Sequence, residues 1–504
     1  MTSPRFDTDV AIVGYGPTGE VLAGLLGARG WRVDVFERAL DVVHQPRAVH
    51  FDAEVMRVFQ QLGVVDAIHP AIAPVQGMDL LNGAGDVIFR FRARAGDGPL
   101  GWPDGFMFYQ PDVERALRSA ASRCPSVTAH LGQDVVAVAN AADDSAAILN
   151  VRPIDRRGVS GDVRTIRARF AVGCCGARSV TRAAIGSPLF DYGLEQPWLV
   201  LDLIVRRDAG LPKVTVQYCD PAHPATYVMM PGHRCRFELM LMPGDTPDTM
   251  LDPSHIATRL APWIRPEDYD IDRAAIYVFH GLVAEQWRRG RLLIAGDAVH
   301  QMPPFLGQGM CSGVRDAANL AWKLDLVLSG IASDTLLDTY QEEREPHVRR
   351  LIETDMYLGA LIQTTDPEVA RQRDMKATNA GAPTALTPSL PRLGGRLCGV
   401  RADCGVPFPQ PVLADGRRYD EQIGDRFALV GAVTPSAWAA RILDRIGTRI
   451  VTDPASAITE WLHAHDAVAA VVRPDRNVLA LVSNPAELDQ TLGPLAAHLV
   501  PADA

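Results

Sequence analysis

The stretch "DTDVAIVGYGPTGEVLAGLLGARGWRVDVFER", residues 7–38, decides the fold. It opens on an apolar run, 10–13, that reads as a buried strand. A glycine turn follows, then a helical pattern over about 17–29. A second apolar run, 32–36, ends in Glu37. Strand, turn, helix and strand within some thirty residues form the unit that carries a G-x-G-x-x-G turn, here Gly14, Gly16 and Gly19. Gly14 permits the turn, Gly16 lets a pyrophosphate approach the backbone, and Gly19 lets helix and strand pack closely. Pro17 and Thr18 begin the helix, whose free N–H groups and partial positive charge suit phosphates. Glu37, followed by Arg38, closes the second strand, where a carboxylate can accept both hydroxyls of an adenosine ribose. The unit predicts adenine-dinucleotide binding. It does not separate a flavin from a nicotinamide.

A second stretch narrows the choice. "GRLLIAGDAVHQMPPFLGQGMCSGVRDAANLAWKLDLVLSG", residues 290–330, begins with a strand over 292–295. Gly296-Asp297 follows at the strand end, where open α/β sheets place their ligands. Asp297 can hold a ribityl hydroxyl. Pro303 and Pro304 stiffen the next loop. Gly307, Gln308, Gly309 and Met310 then open a helix, and a glycine-lined N-terminus lets a flat ring approach with no Cβ in the way. Its dipole favours negative charge at one end of that ring.

With "GYGPTG" and Glu37, "CCGARSVTR" (174–182) and "LLIAGDAVHQMPPFLGQGMCSGVRDAANLAWKL" (292–324) in order, the chain resembles the group A FAD-dependent aromatic hydroxylases, single-component flavoprotein monooxygenases. "QPRAVHFDAEVMRVFQQLG" (45–63) and "DTYQEEREP" (338–346) agree with them. The nearest likeness is to 3-(3-hydroxyphenyl)propionate hydroxylase and the aromatic polyketide hydroxylases. The resemblance implies an α/β fold: a Rossmann-like FAD-binding domain, an inserted antiparallel-sheet substrate domain and a C-terminal thioredoxin-like domain. It implies FAD as cofactor, NADPH or NADH as electron donor, and O2 and a phenolic or polyketide-like aromatic as substrates, through a C4a-hydroperoxyflavin. Gly14, Gly16, Gly19 and Glu37 would hold the ADP half. Arg47 would reach the flavin or pyrophosphate, and Gln110 in "YQPDVERAL" would contact FAD before a helix. Asp297 would bind the ribityl chain, and Pro304 with residues 307–310 would border the ring. Baeyer–Villiger or epoxidising chemistry on the same scaffold is the alternative reaction, since fold does not fix chemistry.

One position departs from the family pattern. In "VGCCGARSVTR" (172–182) Cys175 stands where relatives usually carry aspartate. Thiols accept hydrogen bonds poorly. Gly176, Arg178, Ser179 and Arg182 are retained, so the turn survives. The change puts reduction by the nicotinamide in more doubt than FAD binding. Two readings stand beside it: a flavin-binding protein with poor turnover, and a Cys175 that packs as a small buried residue.

Composition is consistent with this. The 504 residues suggest about three domains at roughly 150 residues each. A formal charge of −10 argues against a nucleic-acid groove. No apolar run reaches the roughly 18–20 residues a membrane span needs, and "MTSPRFDTDVAIVGYG" has no secretory pattern, so a cytoplasmic protein is expected. The eight cysteines form no CxxC pair, which disfavours zinc; no metal is implied, and reduced thiols are expected. A homodimer is compatible with the sequence. The FAD domain is expected over 1–75, 102–186 and 280–362, the last with a helical extension that Pro346 should kink or end. The substrate domain is expected over 76–101 and 187–279, a connector rich in Thr, Pro, Ala and Gly over 363–394, and the thioredoxin-like domain over 395–504. Within the substrate sheet, Tyr192, Trp198, Gln217, Tyr227, Met229 and Phe237 are pocket candidates, with Pro303 from the loop. A phenol hydroxylase gains from a positioned base. His300, three residues past Asp297, is the candidate, although a histidine there more often holds a loop.

Overall fold

The computed structural model describes residues 6–155, 158, 161–380, 390–398, 401 and 403–501. Residues 381–389 of the expected connector lie outside them. The opening stretch forms β1 (Thr8–Val13), α1 (Pro17–Ala28) and β2 (Val33–Glu37). All six residues of β1 are buried, as expected of a strand covered on both faces of a parallel sheet. β1 pairs in parallel with β2 and with Arg164–Gly173, which pairs in parallel with Leu292–Ile294. Register aligns their C-terminal ends: Val13 sits opposite both Phe36 and Gly173, and Gly173 opposite Ile294. The three turns that the motifs mark therefore leave the sheet at one edge.

A second eight-stranded sheet runs in the order His300–Gln301, Tyr269–Ala284, Leu189–Val205, Arg234–Met240, Ala225–Met229, Thr215–Cys219, Gly77–Asn82, Val87–Arg92. It differs from the expectation in two ways. The sheet is mixed, because Thr215–Cys219 pairs in parallel with Gly77–Asn82. The expected border at 279/280 falls inside a strand: Tyr269–Ala284 pairs with Leu189–Val205 from Tyr269 to Ala284, and His300–Gln301 extends the sheet. Gly281, close to that border, lies inside the strand and does not end it. One face of this sheet packs on the helices Pro247–Met250 and Pro253–Leu260.

Two details go beyond the expectations. Pro346 does not end its helix: Asp338–Ile362 is one helix, with Pro346 inside it. The break is absorbed by a neighbouring segment, since Gly394 N–H donates to the Glu343 carbonyl at 3.2 Å and the glycine chain lies against the turn. The first part of the connector is helical, Pro367–Ala380, started by Asp366, whose carboxylate accepts the Glu368 and Val369 N–H groups.

The C-terminal unit has a four-stranded sheet in the order Arg449–Val451, Ala428–Gly431, Ala469–Val472, Val478–Val482, with helices between and after. Buried ion pairs dock it. Arg57 donates to Asp420 at 2.7 and 2.9 Å, and Arg473 meets Glu343 at 3.0 Å, which also takes Lys323 at 3.0 Å. No described helix is long and apolar enough to cross a membrane.

Candidate active site

The aligned strand ends bring the motifs into contact. Gly14 has φ +99°, and a Cβ there would lie 2.5 Å from the Cys174 carbonyl oxygen. The turn therefore needs glycine both for its backbone and because the 174–176 segment presses on it. A Cβ on Gly19 would lie 2.2 Å from the Gly14 carbonyl, so Gly19 permits helix–turn packing and stands behind the cavity wall rather than in it. Thr18 wedges between Gly296 and Gly313, whose Cβ atoms would meet its hydroxyl at 2.5 and 2.3 Å. The first motif is thus keyed into the third.

The junction opens into a continuous cavity of about 1980 Å³. Gly14, Gly16, Pro17, Thr18, Glu37, Arg38, Arg47, Gln110, Gly176, Asp297, Pro303, Pro304, Gly307, Gln308, Gly309 and Met310 all border it. A Cβ on Gly16 would meet nothing within 4 Å, so the space before the α1 N-terminus is open. No side chain caps that helix, which leaves its first N–H groups for a ligand. Glu37 is fixed by accepting the Tyr15 and Ala39 N–H groups, each at 2.8 Å. Lone pairs remain for hydroxyl donors. Gln110 accepts the Arg47 and Ala48 N–H groups at 2.7 and 2.8 Å and so shapes the Arg47 loop. Arg47 then stands 3.9 Å from Asp297 across the cavity.

Buried acids hold the loops. Asp316 accepts the Gly296 N–H at 3.0 Å and so sets the turn that presents Asp297. It pairs as well with Arg344 at 2.9 Å and His300 at 2.7 Å. Asp355 accepts the Leu306 N–H at 3.0 Å, and burial pushes its carboxyl well above the usual range. Cys175 borders the cavity with its Sγ 3.0 Å from the Ser179 hydroxyl.

His300 is corrected as the proton acceptor. It is 1% exposed, hydrogen-bonded to Asp316 and off the cavity, because pairing of His300–Gln301 with the second sheet turns it inward. Five substrate candidates are corrected too. Tyr227, Phe237 and Met229 pack on the helix-covered face, Trp198 lies in a buried cluster with Phe279 and Phe305, and Tyr192 packs on Phe190. For Tyr227, Phe237 and Met229 strand alternation decided this, because neighbouring residues point to opposite faces; Trp198, opposite Met240 in register, is on the Glu238 face and is covered there by Phe279 and Phe305. Gln217 and Pro303 do border the cavity, beside Thr226, Val228, Arg236, Glu238, Tyr277 and Phe279, which sequence reading missed. The signal was present in "RCRFELM", where Arg236 and Glu238 alternate with Cys235, Phe237 and Leu239.

An uncapped helix N-terminus behind a glycine turn, a fixed acid at the second strand end and a glycine-lined loop beyond an Asp, all on one cavity, define a dinucleotide-dependent oxidoreductase. These residues fit FAD, whose two halves need such anchors at either end. A family profile described as an FAD binding domain matches residues 7–355, and the chain belongs to this family, that of the FAD-dependent aromatic hydroxylases. It is 38% identical to a probable NADH-specific resorcinol 4-hydroxylase of Rhodococcus jostii (strain RHA1), over 99% of this chain and 96% of that protein. It is 33% identical to a 3-(3-hydroxy-phenyl)propionate/3-hydroxycinnamic acid hydroxylase of Mycobacterium sp. (strain JLS), over 93% and 88%. Its fold matches aklavinone-11 hydroxylase, solved with FAD and aklavinone, at a TM-score of 0.80 and 23% identity, over 98% and 99% of the two chains.

Proposed function

We propose that the chain hydroxylates the ring of a small phenol of the resorcinol class, with FAD, NADH and O2. The observation that carries this is the single cavity of about 1980 Å³ shared by the nucleotide turn, the 303–310 loop and the inner face of the second sheet. Its volume exceeds the roughly 300–1,000 Å³ of a one-ligand pocket, so it suits an extended cofactor with a ring substrate beside it. FAD, when bound, supplies hydride acceptance and oxygen activation. The chain's residues do the rest. Gly14, Gly16 and Thr18 seat the phosphates, Glu37 takes the ribose and Asp297 the ribityl hydroxyls. Pro304 and residues 307–310 flank the ring system. The second sheet serves as the substrate domain, and its Val228 and Phe279, with Pro303, keep water from the reacting centre. The C-terminal unit's strand order supports a thioredoxin-like reading, the sequence's lack of a CxxC pair supports a structural or assembly role for it rather than redox work, and the free thiols among the described residues support a cytoplasmic setting.

The test is direct. Purified protein should be yellow, and its NADH consumption should rise on adding resorcinol or 3-(3-hydroxyphenyl)propionate, with product heavier by one oxygen. Colourless protein that takes up no FAD overturns the reading. Consumption with ketones and not with phenols overturns hydroxylation in favour of Baeyer–Villiger chemistry.

A further inference from the structure

The second sheet presents a polar row to the cavity. Gln217, Thr226 and Glu238 are register neighbours on three adjacent strands, and all three border the cavity. Thr226 donates its hydroxyl hydrogen to the Gln217 carbonyl at 2.5 Å. Glu238 is 7% exposed, and among the described residues nothing hydrogen-bonds its carboxylate. A guanidinium nitrogen of Arg236 stands 3.7 Å away, too far for a hydrogen bond. That arginine is already committed to Asp202 and to the Pro46 and Arg47 carbonyls, at 2.6–3.2 Å. A buried carboxylate without a donor is costly. A hydroxyl-bearing ligand in the cavity would supply one.

We propose that Glu238 is the proton acceptor for the substrate's phenolic hydroxyl, a role that rests on the hydroxylase reading above. The phenolic O–H bond breaks, its proton bonds to a Glu238 carboxylate oxygen, and the electron pair stays on the phenolate oxygen. The ring becomes richer in electrons and a better nucleophile. Arg236 balances the acid from below while pinning the Arg47 loop, so the base is held in register with the cofactor loop. The charged groups that act on it are Arg236 on its own strand, Asp202 on 189–205 and Arg273 on 269–284; Tyr277 and His280 of that last strand border the same cavity. His50 borders the cavity from the loop side. Burial pushes the Glu238 carboxyl up, opposed by Arg236, which brings it closer to a phenol's acidity and to working pH.

The experiment uses the FAD-loaded full chain with resorcinol and its dimethyl ether as probes. Binding is followed by the flavin absorbance change across pH, and turnover by product formation. The wild type should prefer resorcinol to the ether at least tenfold, with kcat falling on the acid side. Glu238→Gln should lower kcat on the order of 100-fold and flatten the acid limb, with FAD still bound; Glu238→Asp should recover part of both. Glu238→Leu should erase the preference for the free hydroxyl. A Glu238→Gln enzyme with wild-type kcat and acid limb overturns the proposal, as does equal binding of ether and phenol by the wild type. If the hydroxyl preference depends on Glu238 but no phenol stimulates NADH consumption, the contact stands and the hydroxylase reading fails.

Discussion

Arg236 reaches from the second sheet to the carbonyl oxygen of Arg47, 2.9 Å away, although 189 positions separate the two in sequence. The same guanidinium holds the Pro46 carbonyl and Asp202, and Arg273 joins the Pro46 carbonyl and Asp202 as well. The loop carrying Arg47 is thus clamped by the second sheet, while its side chain faces Asp297 across the cavity. Arg236→Met leaves Asp202 and the Pro46 carbonyl beside a single arginine, Arg273, and frees the Arg47 carbonyl. We expect a loss of about 3–5 kcal/mol by thermal or urea unfolding, with weaker FAD retention. Arg47→Ala, at a side chain 60% exposed, should lower FAD affinity with stability nearly unchanged.

Two glycines of one turn should fail differently. Gly14→Ala meets the Cys174 carbonyl at 2.5 Å in a left-handed conformation. It should cost about 2 kcal/mol or more of stability. Gly16 has φ −91° and open space before it, so Gly16→Val should fold with an apo melting temperature within a degree or two of wild type and lose flavin binding on the order of 100-fold. Equal FAD binding by Gly16→Val would mean that no phosphate approaches that backbone.

Cys175 lies beside the Gly14 turn, and its thiol meets the Ser179 hydroxyl at 3.0 Å. Cys175→Asp keeps the size and offers Ser179 a strong acceptor. We expect flavin bleaching by NADH in stopped flow to speed up on the order of tenfold, the worth of one charge-assisted hydrogen bond. An unchanged rate would show that the thiol does not limit reduction.

The Asp316 cluster should report on stability rather than on proton transfer. His347 accepts a hydrogen bond from Arg344 at 3.0 Å, and burial with nearby arginines holds its pKa well below the ordinary value. A depressed histidine contributes stability above its unfolded pKa of about 6.5, and that contribution is lost as pH falls through the folded value, with a slope of up to about 1.4 kcal/mol per pH unit. His347→Gln should flatten stability against pH below about 6.5 in urea titrations. His300→Gln should destabilise the chain by about 2 kcal/mol, the loss of a buried charged hydrogen bond, and leave the acid limb of kcat in place.

The glycine turn beside the cavity was legible in the sequence because backbone conformation makes it. Glycine spacing, an apolar run before it and an acid after it are local, and local sterics fix the turn. The Asp297 loop was legible for the same reason. Hidden were the contacts that join segments far apart in the chain: Thr18 between Gly296 and Gly313, Asp316 on the Gly296 N–H, Arg236 on the Arg47 loop. The order of residues along the chain says nothing of them until register aligns the strand ends. Which residues of the second sheet face the cavity was likewise settled by pairing. A slip of one position would exchange Glu238 for Phe237, so alternation told that two faces exist, and only the covering helices told which of them is buried against protein and which faces the cavity.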